Sequence, residues 1–387
     1  MKDQISKIFS KNTYETRKVV EIVSFDVPYP PNYGGVIDVY YKIRAFRKAG
    51  IRVNLHCFEY GRPVSKEMEG LCEHVYYYKR HISKANLFRR RPYIVVTRSS
   101  EDLLSNLARK NNPILFEGLH TCFYLDHKKL KKKKKVVRTH NIEHDYYQNL
   151  AKVEKDIFKR YYFSNEAQKL RRFEKILDHA DGIAAISHHD KEYFSKTYKN
   201  VITVSAFHPH EFVNIKPGKG NYALYHGSLA VGENNEAALW LINNVFDNSD
   251  IPLVIAGNKA SSELKDAVAN HPHITLKLDV PTPEIYQLVQ DAQVNILPTF
   301  QATGIKLKLL AALFTGRHCI VNTPMVAETG LEKICIVKDT AQDMKASLQN
   351  VFSESFEEKD IKKRRDFLEN SNYSNEYNIN QLIDLLF

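Results

Sequence analysis

The stretch VVEIVSFDVPYPPNYGGVIDVYYKIRAFRKAGIRVNLHCF, Val19 to Phe58, sets the reading of the whole chain. The opening VVEIVSF is apolar and β-branched enough for a buried strand. DVPYPPNYGG then breaks the pattern with prolines and paired glycines. VIDVYYKIRAFRKAG has helical spacing, and IRVNLHCF is strand-like again. Strand, glycine turn, helix, strand is the grammar of a βαβ unit.

The grammar repeats outward. YIVVTRS, ILFEGL, KVVRTHN, ADGIAAIS and VITVSAF are further strand candidates. SEDLLSNLARKN reads as a helix with Ser or Glu at its start. Leu150 to His179 is long, charged and helical in pattern. HPHEFVNIKPGKGN has no periodicity and carries prolines and glycines, which marks a domain boundary. A second round follows, with YALYHGS, PLVIAGN, ITLKLDV, VNILPT, CIVNT and ICIVKD as strands and helical segments between them. The division is residues 1–207, a linker at 208–220, and residues 221–387, with terminal helices able to pack back on the first domain. Open parallel sheets place ligands beyond their carboxyl ends, so a cleft between two such sheets is the expected site.

The bulk numbers fit two domains. The chain has 387 residues, 43% of them apolar, with 22 tyrosines and 20 phenylalanines, which excludes a disordered composition. A net charge of +11 suits an anionic partner such as a nucleotide, a nucleic acid or a membrane surface. Five dispersed cysteines form neither a disulfide framework nor a paired metal motif, so a reducing compartment is expected. MKDQISKIFSKNTYETRK lacks an apolar signal core, and no run reaches the roughly 20 apolar residues of a spanning helix. The expectation is a cytoplasmic protein, or one peripheral at the inner face of the membrane. The basic run HKKLKKKKK, His127 to Lys135, has three readings: a solvated loop, attraction to anionic lipid, or nucleic-acid binding. No RNA-binding, zinc-finger or helix-turn-helix signal accompanies it.

Chemistry gathers at strand ends. In YPPNYGGV, Gly34 and Gly35 permit positive φ and close backbone approach, and the following helix offers N–H groups to an anion or a sugar hydroxyl. A structural turn explains them equally well. In VVRTHNIEHDYY, a strand ends near His140, and Asn141, Glu143 and His144 crowd the next loop. The letters H-x-x-E-H match an inverted zincin motif, which needs a helix where this segment follows a strand; no metal is expected. Ser187 in AISHHD can cap a helix. Gly227 and Ser228 in HGSLAVGENN can border an anion or simply turn the chain. In FQATGIKLKLLAALFTGRH, Gly304 precedes a helical pattern whose first turn holds Lys306 and Lys308. Cations there oppose the helix dipole unless an anion is bound. Backbone N–H groups and lysines together favour a diphosphate. Residues two apart diverge on a regular helix, so both lysines are not expected on one phosphate.

Taken in order, these segments resemble retaining glycosyltransferase family 4, in its bacterial surface-polysaccharide branch. PPNYGG is similar to that family's N-terminal glycine loop, and RTHNIEHDYY to its histidine–asparagine–glutamate segment. ADGIAAIS, YHGSL with NNEAALWL, and LVIAG resemble further pieces, and TGIKLKLLAALFTGRHCIVNT the phosphate- and ribose-binding segment. The resemblance implies a GT-B fold, two Rossmann-like domains with parallel sheets facing a cleft. It implies transfer from a nucleotide sugar to a saccharide or lipid-linked acceptor, without metal or cofactor. By position, His140 falls at the transferred sugar, and His140 and Glu143 are the catalytic candidates. Gly304, Lys306, Lys308, Gly227 and Ser228 fall at the donor diphosphate. Gly34, Gly35 and Asn141 fall at the acceptor or phosphate loop, and Glu328 and Thr329 on a donor-side loop.

One departure stands out. The family's two glutamates around the phosphate helix correspond here to Thr303 and Ala311, neither acidic. VPTPEIY also lacks the usual glycine of the nucleobase loop. A non-catalytic binding protein and a nucleotide-sugar epimerase on the same plan are the alternatives.

Overall fold

The computed structural model describes residues 18–300 and 306–387. The first sheet contains β1 (Val19–Ser24), β2 (Arg52–Glu59), β3 (His74–Lys79), β4 (Ile114–Glu117), β5 (Lys135–Thr139), β6 (Gly182–Ala185) and β7 (Val201–Thr203). Their order is β3-β2-β1-β4-β5-β6-β7, and every pairing is parallel. The second sheet holds β8 (Ala223–Ser228), β9 (Leu253–Asn258), β10 (Ile274–Leu278), β11 (Val294–Ile296), β12 (His318–Val321) and β13 (Ile336–Val337). Its order is β10-β9-β8-β11-β12-β13, again all parallel.

Helices that position the site are α1 (Gly34–Lys48), α2 (Glu101–Arg109), α3 (Glu143–Val153), α4 (Ile157–Phe173), α5 (His188–Ser195), α6 (Gly232–Leu241), α7 (Leu307–Thr315) and α8 (Asn375–Leu386). The first sheet is buried on both faces. Val23, Phe116 and Val137 face one core, while Ile22, Leu115 and Val136 face the other. This double burial is why its strands read as continuous apolar runs. Ser100 caps α2 by accepting from the Leu103 N–H, and Ser187 caps α5 by accepting from the Asp190 N–H at 3.1 Å. The late helix α8 returns to the first domain. Its Ile379, Leu382, Leu385 and Leu386 complete the core that contains Val20, Phe46 and Leu55.

Two local expectations change. YIVV is a short helix, Tyr93–Val96, rather than a strand. Pro92 precedes it, and the Glu166 carboxylate accepts from the Tyr93 N–H at 2.6 Å, so a distant side chain caps it against its β propensity. The tyrosine-rich edge strand β3 went unread because it is only half-buried. The basic run is also more structural than a solvated loop. Lys133 and Lys135 are buried and donate to the carbonyls of Lys110 and Leu125. The run lies at the amino end of β5, at the opposite end of the strands from the strand-end loops.

Candidate functional site

In the first sheet strand order reverses between β1 and β4, so the carboxyl ends of β1, β4 and β5 open a crevice there. Tyr33 Oη donates to Asp26 Oδ2 at 2.8 Å and pins the loop after β1. Gly34 and Gly35 start α1, and neither has a positive φ. The positive φ that glycine permits is not used here, and the pair starts the helix instead. A Cβ on Gly35 would meet the Phe25 ring at 2.7 Å, whereas one on Gly34 would meet open space. The N-terminus of α1, with no side-chain cap, stays approachable.

Beneath that loop lies a buried charge network. Asp38 and Lys42 share the buried stripe of α1, one turn apart. Lys42 Nζ reaches Asp38 Oδ2 at 2.9 Å and the two Glu117 oxygens at 2.7 and 2.8 Å. Arg138 Nη2 lies 3.4 Å from Asp38 Oδ1 and donates to the Ser205 carbonyl at 3.1 Å. Burial opposes ionisation of Asp38, but Lys42 and Arg138 outweigh it and hold its carboxyl well below the usual range. Burial likewise opposes ionisation of Glu117, and Lys42 with His140 holds that carboxyl low.

Glu117 Oε2 meets His140 Nε2 at 3.0 Å, which fixes the imidazole at the crevice wall. Asp38, Glu117 and His140 bring ligand atoms within 4.8 Å of one another, a spacing that suits a metal ion. Here the Lys42 ammonium already supplies the positive charge between the two carboxylates.

Glu143, the first residue of α3, is buried, and burial pushes its carboxyl up to about 8 against the hydrogen bond from Asn141. It is therefore protonated near neutrality. Its Oε1 lies 3.8 Å from His120 Nδ1, and neither atom has a hydrogen-bond partner. Burial holds His120 neutral, lowering its basicity. A cavity of about 380 Å³ is lined by Gly34, Gly35, His120, His140, Asn141 and Glu143, with Leu307 of the second domain on its far side.

The second sheet reverses its order between β8 and β11, and the lysines gather at that place. Gly227 and Ser228 end β8. The Asn234 side-chain amide donates to the Ser228 carbonyl at 3.0 Å, tying the first turn of α6 to the strand end. Lys308 Nζ donates to Asn234 Oδ1 at 2.9 Å and lies 4.9 Å from the Tyr225 ring centre. Lys306 Nζ lies 3.8 Å from Glu233 Oε1, which also accepts from the Thr299 hydroxyl. Burial lowers the pKa of Lys306, and takes that of Lys308 down to about 8, with Glu233 opposing both shifts.

The expectation that the two lysines diverge does not hold. Lys306 is extended, at φ −84° and ψ 118°, and the helix begins only at Leu307. Both ammonium groups consequently converge on neighbouring residues of α6. Gly304 and Thr303 fall outside the described residues.

Glu328 and Thr329 line a different cavity from the one that Leu307 closes. Glu328 has a left-handed backbone, φ 60°, and its carboxylate lies 3.2 Å from His189 Nδ1 in the first domain. The Thr329 hydroxyl donates to the Val326 carbonyl at 2.7 Å. Both line a smaller cavity of about 180 Å³ with Ser187 and Asp190.

Asp38, Lys42, Glu117, Arg138, His120, Glu233 and Asn234 were not singled out in the sequence. The available signal was a charge inside an apolar run: Glu117 in ILFEGL, Arg138 in VVRTHN, and the Asp38–Lys42 pair on an otherwise apolar helical stripe.

No protein-family model matches the chain. An uncharacterised 44.6 kDa protein in the cps region of Klebsiella pneumoniae is 28% identical over 340 residues, covering 82% of this chain and 87% of that protein. The crystal structure of TarM superposes with a TM-score of 0.61 at 10% identity, covering 95% of this chain and 98% of that one. A mutant of S. aureus TarM in complex with Fondaparinux, alpha-GlcNAc-glycerol and UDP gives 0.62 at 10% identity, covering 95% and 99%. The trehalose-6-phosphate synthase OtsA gives 0.59 at 9% identity, covering 95% and 98%. Among the described residues, no helix is long and apolar enough to cross a membrane. With two parallel Rossmann-like sheets opening on one cleft, and these structural neighbours, the fold of this chain is GT-B.

Proposed function

We propose that this chain transfers a sugar from a nucleotide-diphosphate sugar to a saccharide or lipid-linked acceptor, with retention, in cell-surface polysaccharide synthesis. The observation that carries this reading is one shared cleft. Leu307, flanked by Lys306 and Lys308, closes the cavity that His140, Asn141 and Glu143 line from the other domain. The similarity to a cps-region protein supports the polysaccharide context, and the UDP bound to the TarM mutant supports a nucleotide donor. Membership of glycosyltransferase family 4 rests on the sequence resemblance.

In this reading the two lysines and the N-terminus of α6 stabilise the leaving diphosphate. The acceptor hydroxyl attacks the anomeric carbon from the face the phosphate leaves. The new glycosidic bond forms as the bond to phosphate oxygen breaks, and that oxygen takes the hydroxyl proton. Glu143 is not the nucleophile, since a protonated carboxyl is a poor one. It donates a hydrogen bond to a sugar hydroxyl instead. His140, braced by Glu117, faces the transferred sugar. We assign no metal and no cofactor, because Lys42 occupies the charge position between the carboxylates.

Calorimetry with UDP- and GDP-sugars, followed by identification of the product anomer by NMR, tests the proposal. An α-linked donor giving an α-linked product supports it, and no binding of any common donor at millimolar concentration overturns it. Ala311 favours a second reading, a non-catalytic binding protein, because it buries a methyl group where the family resemblance places a ribose-binding glutamate. Turnover by the natural sequence eliminates that reading.

A further inference from the structure

The three most exposed large hydrophobic side chains among the described residues are Phe88, Phe158 and Tyr161, at 89%, 83% and 76%. Phe88 lies in the segment that leaves the carboxyl end of β3, and the other two lie at the start of α4. These elements are tied together. Lys169 Nζ of α4 donates to the Leu87 carbonyl at 2.6 Å, and Glu166 accepts from the Tyr93 N–H. Phe158 sits about three turns before Lys169, on the same helical stripe. Ile82, Val153 and Ile157, close to them in sequence, are exposed as well.

The charge around them is predominantly positive. The segment KRHISKANLFRRR, Lys79 to Arg91, carries no acidic residue. Lys84, Arg89, Arg90, Lys155, Lys159 and Arg160 are all exposed. The two nearby acids, Glu154 and Asp156, are turned onto backbone N–H groups of Asp156, Phe158 and Lys159.

We propose that this corner of the first domain docks on an anionic bilayer surface. Phe88, Phe158 and Tyr161 enter the interfacial region, and the six cations meet lipid phosphates. Aromatic side chains with interleaved Arg and Lys suit that boundary. A second copy of this chain is a poor occupant, because a two-fold contact would set the same cations against themselves. The corner also lies on the cleft side of the sheet. Tyr147, which lines the cavity, packs its ring 6.0 Å from that of Phe163 on α4. The lysine run His127 to Lys135 lies at the amino end of β5, and docking through it would turn the cleft away from a bilayer.

Flotation of the full chain tests this, using vesicles of phosphatidylcholine alone or with phosphatidylglycerol. The natural chain is expected to float with the anionic vesicles and not with the neutral ones. Combined Phe88→Ser, Phe158→Ser and Tyr161→Ser is expected to lower partitioning at least roughly tenfold. Arg89→Glu with Arg90→Glu should do the same, while Lys131→Gln, Lys132→Gln and Lys134→Gln together leave it unchanged. All these positions are exposed, and unchanged melting temperatures check that each variant is folded. Failure of the natural chain to float overturns the proposal, as does undiminished floating of the aromatic variant. A dimer in sedimentation that the aromatic substitutions dissociate, without vesicle binding, overturns it in favour of a second copy.

Discussion

The two sheet crevices treat positive charge in opposite ways. Under the first, Lys42 is fully enclosed and paired with two carboxylates at hydrogen-bond distance. Under the second, Lys308 is half-buried and, among the described residues, has only a neutral amide and a phenol in direct contact, while Lys306 stands 3.8 Å from Glu233. The first cation is consumed by the fold and stiffens the floor of a crevice. Among the described residues Lys308 meets only neutral groups directly, and a bound diphosphate would give it a negative partner. Full enclosure with two carboxylates in contact marks Lys42 as a structural lysine, and neither condition is met at Lys308.

The contrast breaks most sharply at Lys42. Lys42→Met leaves Glu117 buried without its ammonium partner and Asp38 with Arg138 alone, and is expected to cost about 3–5 kcal/mol in urea unfolding. Lys308→Met should leave stability unchanged or improve it, because it removes a half-buried charge whose direct contacts are neutral. Equal losses in the two variants would erase the distinction. In binding, the order inverts. At least one of Lys306→Ala and Lys308→Ala should weaken nucleotide-diphosphate affinity by more than about tenfold with folding intact. Near-natural affinity in both would sink the diphosphate reading.

A third effect is a pH slope. The Glu143 carboxyl is raised from its ordinary 4.5 to about 8 in the folded chain. The folded state therefore holds a proton that the unfolded state has lost across that window. The stability it contributes is complete below about 4.5 and disappears as pH rises through 8. Glu143→Gln should flatten the fall in melting temperature from mildly acidic to mildly alkaline buffer. Parallel curves for both proteins would refute the protonated state. The smallest effect separates the two glycines. Gly34→Ala should alter stability by no more than about 1 kcal/mol, since its Cβ meets open space, while Gly35→Ala is costlier because of the Phe25 ring. Identical thermal shifts would show that the ring yields.

The βαβ grammar was legible because both sheets are parallel and doubly covered, so their strands are nearly unbroken apolar runs. YIVV misled because a carboxylate from α4 caps it as a helix, an interaction no local pattern encodes. The glycine loop, His140 and the lysines were found by their positions at strand ends. The floor beneath them was not. Glu117 and Arg138 are charges on strands enclosed from both sides, and only the fold shows that Lys42 and Asp38 meet them. The convergence of Lys306 and Lys308 was hidden by a helix start placed too early in the reading.

The return of α8 to the first core has a consequence during synthesis. On the ribosome, the first domain emerges with β1 to β7 but without Ile379, Leu382, Leu385 and Leu386. Its face around Val20, Phe46 and Leu55 stays uncovered until the entire second domain has been made. That interval is a window for chaperone capture. It also makes any premature stop between the second sheet and α8 a lesion of the first domain.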